Sequence, residues 1–186
     1  MRHAYLGLIY FTKNQNEKAA PELAAYLKVA PDDGLAHYRY GLVNYELLKA
    51  TLTKLSAMNT EAQAEQKKPD ASDTKMKYYS DELTALSKQF EAERDTTIDA
   101  LAGALAMGGA FADNANQIFD LLFKQKTNSL DGKTAYIAEK KTQITAAAAA
   151  AAPPAAARGA STGFGGGFGG GGGPTGGGAG GGRGGR

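Results

Sequence analysis

Two related stretches near the N-terminus determine how the first part of this chain folds. The octet HAYLGLIY at residues 3–10 returns, altered, as HYRYGLVN at residues 37–44. The two copies begin 34 residues apart. A self-similarity at that period is typical of stacked helix-turn-helix units, none of which can bury its apolar face alone. The sequence therefore predicts an all-α fold that begins with a helical repeat.

The first unit carries small and large residues where two antiparallel helices would pack together. Gly7 and Ala19 leave room for the helices to approach, and Tyr10 and Leu23 fill the seam between them. Its packing residues are Leu6, Gly7, Tyr10, Ala19, Leu23 and Pro31. Gly41 of the second copy matches Gly7. Residues 1–34 are thus predicted to form one repeat.

This set of packing residues resembles the motif of the tetratricopeptide repeat, which places Leu-Gly, Tyr, Ala, a large apolar residue and Pro at the same spacing. About one and a half repeats are recognisable, over residues 3–45. The second copy keeps Gly41, but Asn44 stands where Tyr is expected, and no Ala/Pro half follows. The resemblance implies a TPR-like solenoid of α-α hairpins. We suspect that further repeats precede residue 1.

The resemblance also implies a noncatalytic scaffold that binds a protein or peptide of unknown identity. In such a solenoid the inner helices offer a groove to the partner. The predicted groove residues here are Tyr5, Ile9, Tyr38 and Tyr45. They are aromatic or branched apolar side chains at the start of the two copies.

A long helical hairpin is predicted at residues 35–94, because apolar residues recur every three or four positions on both sides of a polar loop at 66–73. The two stripes are Tyr45, Leu48, Leu52, Leu55 and Ala62, then Met76, Tyr79, Leu83, Leu86 and Phe90. They favour an antiparallel coiled coil with Ala62 near Met76 and Leu55 near Leu83. The alternative is that both stripes are ordinary helix faces packed into the solenoid.

Residues 95–145 are predicted to complete a helical domain at 1–145. Their first part continues the preceding helix up to Gly108, and two further helices follow at about 112–126 and 132–145. Gly108-Gly109 is a stop signal between them and the preceding helix. Asn16 is predicted to cap the second helix of the chain, and an Asp of the stretch Pro31-Asp32-Asp33-Gly34 is predicted to cap the third.

The segment from Ala146 onward is predicted to be a disordered tail, residues 146–186. It contains seven successive alanines and, from Gly159, 18 of the chain's 25 glycines. Glycine brings no apolar area and loses much backbone entropy on ordering. Arg183 and Arg186 with Phe164 and Phe168 give a weak indication of nucleic-acid contact. A tether is the alternative.

Composition excludes several other function classes. The 186-residue chain has no cysteine and two histidines, so the sequence offers no thiolate metal site and no predicted metal or cofactor. Its net charge is +2, and the three arginines after residue 157 leave the rest at −1, which argues against nucleic-acid binding by the body. No nucleophile with a paired base is evident, so we predict that the protein is not an enzyme.

Localisation is left open by the sequence. No apolar run approaches the ~18 residues of a membrane span, and we expect a soluble protein, cytoplasmic by default and periplasmic if the N-terminus is truncated. A second class of function also remains open. The long hairpin or the open face of the first repeat could instead build a structural homo-oligomer.

Overall fold

The computed structural model describes residues 2–151, which form six α-helices and no strand. The helices are α1 Arg2–Thr12, α2 Asn16–Leu27, α3 Gly34–Gln66, α4 Asp73–Met107, α5 Ala112–Thr127 and α6 Lys133–Ala151. The predicted all-α class is confirmed. Helix α6 runs through the first alanines, beyond the predicted boundary at 146. The rest of the predicted tail lies outside the described residues.

Helices α1 and α2 form the first pair, and they touch at a glycine. A Cβ atom on Gly7 would lie 2.9 Å from Cδ2 of Leu23, which is itself buried, so only glycine permits this spacing. The turn between the helices uses Asn14 in the left-handed region, at φ 55°. The predicted Asn16 cap is wrong, because Asn16 is already helical and Gln15 before it makes no side-chain cap.

The start of α3 is fixed by Asp33, as predicted. One oxygen of its carboxylate accepts from the backbone N–H of Ala36 at 2.9 Å and satisfies a free donor of the first turn. The other oxygen accepts from the hydroxyl of Tyr26 at 2.9 Å, which raises the pKa of Tyr26. Asp33 therefore joins the end of α2 to the beginning of α3.

The long helices α3 and α4 pack against each other in opposite directions. A Cβ on Gly34 would lie 2.8 Å from Cβ of Met107, and a Cβ on Gly41 would lie 2.6 Å from Cδ2 of Leu101. At the other end, Nζ of Lys75 is 3.6 Å from a carboxylate oxygen of Glu65. We call residues 48–93, the outer part of this helix pair, the arm.

The seam of α3 is more polar than the predicted apolar stripe. From residue 44 to its end, the buried positions of α3 are Asn44, Leu48, Thr51, Ala62 and Glu65. Leu52 was predicted to face α4, but it is 53% exposed, and the neighbouring Thr51 is buried instead. Leu48, Leu55 and Ala62 of the predicted stripe are buried or half-buried, so the stripe is displaced at Leu52, where the buried position lies one residue earlier.

The main core lies where α4, α5 and α6 meet. Ile98 and Leu101 of α4 pack on Phe119 and Phe123 of α5, whose rings stack at 5.1 Å. Tyr136 of α6 contacts both rings. The predicted boundary between residues 35–94 and residues 95–145 falls inside α4, which is continuous there. Helix α4 ends before Gly108, which has φ 72° and confirms the predicted stop.

We predict that Gly103→Ala destabilises the protein by about 1–3 kcal/mol, the usual cost of overpacking. The new Cβ would lie 2.5 Å from Nδ1 of the buried His37 ring, whose Nε2 is held by the carbonyl oxygen of Pro31, so the ring cannot move away without losing that hydrogen bond. Ordinary helix propensity predicts the opposite sign, since alanine is the better helix former. Urea unfolding measures the difference.

The matched control is Ser87→Ala, at an exposed position of the same helix. It should change the free energy of unfolding by less than about 0.5 kcal/mol. Equal stability of Gly103→Ala and the wild type would show that α3 and α4 do not approach this closely.

Candidate protein-binding surface

The predicted repeat-packing residues all lie inside the fold or at its edge. Gly7, Ala19, Leu23, Pro31 and Gly41 are buried. Leu6 and Tyr10 are half-buried, and Tyr10 packs on a small core made by Ala19, Leu23 and Val43. That core joins α1 and α2 to α3.

The four predicted groove residues fall into two different environments. Tyr5 and Ile9 on α1 are 66% and 44% exposed. Tyr38 stacks on Phe111 with ring centroids 5.1 Å apart, and Tyr45 packs half-buried against the main core. The first two side chains are free for a partner, whereas the second two already contact this chain.

Tyr45 also belongs to an apolar groove between α3, α4 and α5. The groove has a volume of about 420 Å³. We call it the α3–α5 groove, and its lining residues are Tyr45, Leu48, Lys49, Leu52, Phe90, Leu121, Leu122 and Gln125. Sequence reasoning identified Tyr45 but missed Leu121, because Leu121 lies outside the buried face of α5. The signal available in the sequence was a large apolar residue, Leu121, at a solvent-facing position of an amphipathic helix.

The two histidines, which occupy equivalent places in the two octets, have different surroundings. The exposed His3 lies with Nδ1 2.6 Å from a carboxylate oxygen of Glu22, which links α1 to α2. His37 is only 8% exposed, and its Nε2 lies 2.9 Å from the carbonyl oxygen of Pro31. A carbonyl only accepts, so Nε2 carries the hydrogen and Nδ1 is left as an unprotonated acceptor.

Nδ1, the unprotonated nitrogen of His37, faces α4 at Gly103. Nδ1 is buried, has no hydrogen-bond partner and lies against Gly103. Burial lowers the pKa of His37, and the nearby Lys140 ammonium lowers it further, against the raising effect of the Pro31 carbonyl. A proton on Nδ1 would place a charged donor where nothing accepts it. His37 is therefore a neutral packing residue that holds the α2–α3 loop against α4.

Polar contacts also fix the position of α6 and the end of the arm. Lys140 donates to a carboxylate oxygen of Asp99 at 2.5 Å, between α6 and α4. At the arm's end, the buried carboxylate of Glu65 accepts from Lys68 at 2.6 Å, and this hydrogen bond lowers the pKa of Glu65. Together with the contact to Lys75, Glu65 ties the tip of α3 to the start of α4.

The described residues, 2–151, contain no group of three or more His, Asp or Glu side chains placed to hold a metal ion. Within the same residues, no helix is both long and apolar enough to cross a membrane.

Comparison with known proteins gives no relative: no protein-family model, curated protein or solved structure matches this chain.

We predict that the protein loses stability as the pH falls from 7.5 to 5.5. The pKa of His37 is lowered on folding, so below the ordinary histidine value of ~6.5 the unfolded chain binds a proton that the folded chain does not. This contribution is fully present above pH ~6.5 and declines below it. Urea unfolding at several pH values measures it.

Two variants make the pH test specific. His37→Gln should flatten the dependence between pH 7.5 and 5.5, since it removes the titrating group. Ser87→Ala, which leaves every titrating group in place, should keep the wild-type slope. An unchanged slope in His37→Gln would contradict the assignment of His37 as a buried neutral residue.

Proposed function

We propose that this chain is a noncatalytic, tetratricopeptide-like scaffold that binds a protein or peptide through its helical surface. The observation that carries the proposal is a contact that occurs twice. Gly7 of α1 meets Leu23 of α2, and Gly41 of α3, the matching glycine of the second octet, meets Leu101 of α4. In both pairs a leucine of the second helix fills the space that the glycine leaves open.

The match extends to neighbouring positions of the second helix. If Leu101 corresponds to Leu23, then Thr97 corresponds to Ala19, and both are fully buried. Ala104 then takes the place of Tyr26 and supplies the small residue that the repeat motif expects there. On this interpretation, the second repeat consists of the first part of α3 and the last part of α4.

The arm is then an insertion within the second repeat. Gly7 and Leu23 are 16 residues apart, whereas Gly41 and Leu101 are 60 apart, a difference of 44 residues. The second half of the repeat is missing from its expected place in the sequence because the arm separates it from the first half.

A scaffold is favoured over an oligomer that assembles through the arm's seam. Leu48, Thr51 and Ala62 are buried within a single chain, and Leu55 is half-buried. A seam that is filled by its own chain has little apolar surface left for a second copy. Homo-oligomerisation through another face stays a prediction, as does nucleic-acid contact through the tail, which lies outside the described residues.

Photo-crosslinking tests the scaffold proposal. A benzophenone amino acid replaces Tyr5 or Ile9, whose exposed side chains can reach a partner, and mass spectrometry identifies the adducts formed in an extract of the source cells. We expect one or a few proteins to recur at both positions. A benzophenone at Thr84, an exposed position of the arm, is the control and should not give the same adducts.

Two results would contradict the proposal. Adducts that are the same at all three positions would indicate nonspecific capture, and a complete lack of adducts at both Tyr5 and Ile9 would show that the exposed part of the predicted groove binds no partner.

A further inference from the structure

The α3–α5 groove exposes large apolar side chains to water. Leu52 is 53% exposed and Leu121 is 58% exposed, and both line the groove. Phe90 and Tyr45 are half-buried beside them. Leucines that face water around a common apolar groove are typical of a binding surface.

We propose that this groove binds a short amphipathic helix of a partner protein, which inserts large apolar side chains between Leu52 and Leu121 and places a carboxylate beside Lys49. The proposal rests on the scaffold function and names the chemistry of the partner. It also uses the arm, since Leu52 and Phe90 belong to the inserted residues.

The size of the groove favours a short segment over a second copy of this chain. A stable dimer needs about 800 Å² and some 20–30 residues from each partner. Eight residues line the groove, whose volume of about 420 Å³ lies within the ~300–1,000 Å³ of sites that bind small ligands or a few side chains. One face of a short helix matches this size.

The walls of the groove favour a helix over an extended peptide. Strand addition, in which an extended peptide pairs its backbone with a free sheet edge, is excluded here because residues 2–151 contain no strand. Here the walls are helices α3 and α5, whose side-chain ridges accept those of another helix. A helix would present its anchors three and four positions apart.

The positive charge of Lys49 in the groove lining favours a partner helix that carries a carboxylate on one flank. Lys49 is the lining's charged residue, and the lining includes no carboxylate. Its ammonium lies 2.7 Å from Glu46, but both side chains are half exposed, and such surface pairs exchange partners easily. Lys49 also lies 5.1 Å from the Tyr45 ring centroid, at the edge of the groove. A carboxylate on the incoming helix can reach it there.

The experiment uses a phage-displayed library of 16-residue helices with randomised positions on one face, selected on the full chain. We expect enriched peptides to carry large apolar residues at three- and four-residue spacing with Glu or Asp on one flank. Fluorescence anisotropy should show at least tenfold weaker binding to Leu52→Glu and to Leu121→Glu. Leu130→Glu, an exposed leucine between α5 and α6, is the matched control and should bind within about twofold of wild type.

A charge exchange tests the contact with Lys49. Lys49→Glu should weaken binding of the acidic peptides, and changing their flanking Glu to Lys should restore it. Circular dichroism establishes that each variant is folded. No enrichment, or equal binding to Leu121→Glu, overturns the proposal.

Two further outcomes separate this inference from the scaffold function. Light scattering that shows a dimer abolished by Leu121→Glu would assign the groove to a second copy and overturn the proposal. Photo-crosslinking at Tyr5 that persists in Leu121→Glu, together with no peptide binding to the groove, would reject the groove but leave the scaffold function standing.

Discussion

The close approach of α3 to α4 is the constraint on which the rest of the structure depends. Gly41 admits Leu101, and Gly103 admits the ring of His37, so each helix supplies a gap for a large side chain of the other. Because α4 also carries Ile98 and Leu101 into the core shared with α5 and α6, the spacing of α3 and α4 sets where the last two helices can lie. Close packing makes such contacts intolerant of even one added methyl group.

Local signals in the sequence predicted much of this fold. Gly7 with Leu23, the Asp33 cap and the stop at Gly108 each depend on residues near in sequence, and the repeated octet pointed to Gly41. The register of α3 against α4 could not be predicted in the same way. It places Thr51 inside and Leu52 outside, because register is set by contacts between residues far apart in the chain. The α3–α5 groove was missed for a related reason, since its residues come from three helices whose positions only the tertiary fold defines.

The same geometry connects the fold to the proposed function. Leu101 meets Gly41 as Leu23 meets Gly7, so an inserted arm leaves the packing of the second helix pair intact. The arm has few buried apolar residues, and its buried positions include the polar Thr51 and Glu65. Polar residues at such positions fix the register of a helix pair and add little to a core. At its base the arm contributes Leu52 and Phe90 to the α3–α5 groove. In the proposed function, an insertion of this kind adds surface without disturbing the proposed second repeat.

Excision of the arm tests this account most directly. Residues 48–93 are removed, and Leu47 is joined to Arg94 through Asn-Gln, a copy of the Asn14-Gln15 turn between α1 and α2. If the second repeat consists of the two inner helix segments, the shortened chain should keep helical circular dichroism and a single cooperative thermal transition. A shortened chain that shows no cooperative transition, under conditions in which the full chain melts cooperatively, would contradict the account, because α3 and α4 would then depend on the arm for their pairing.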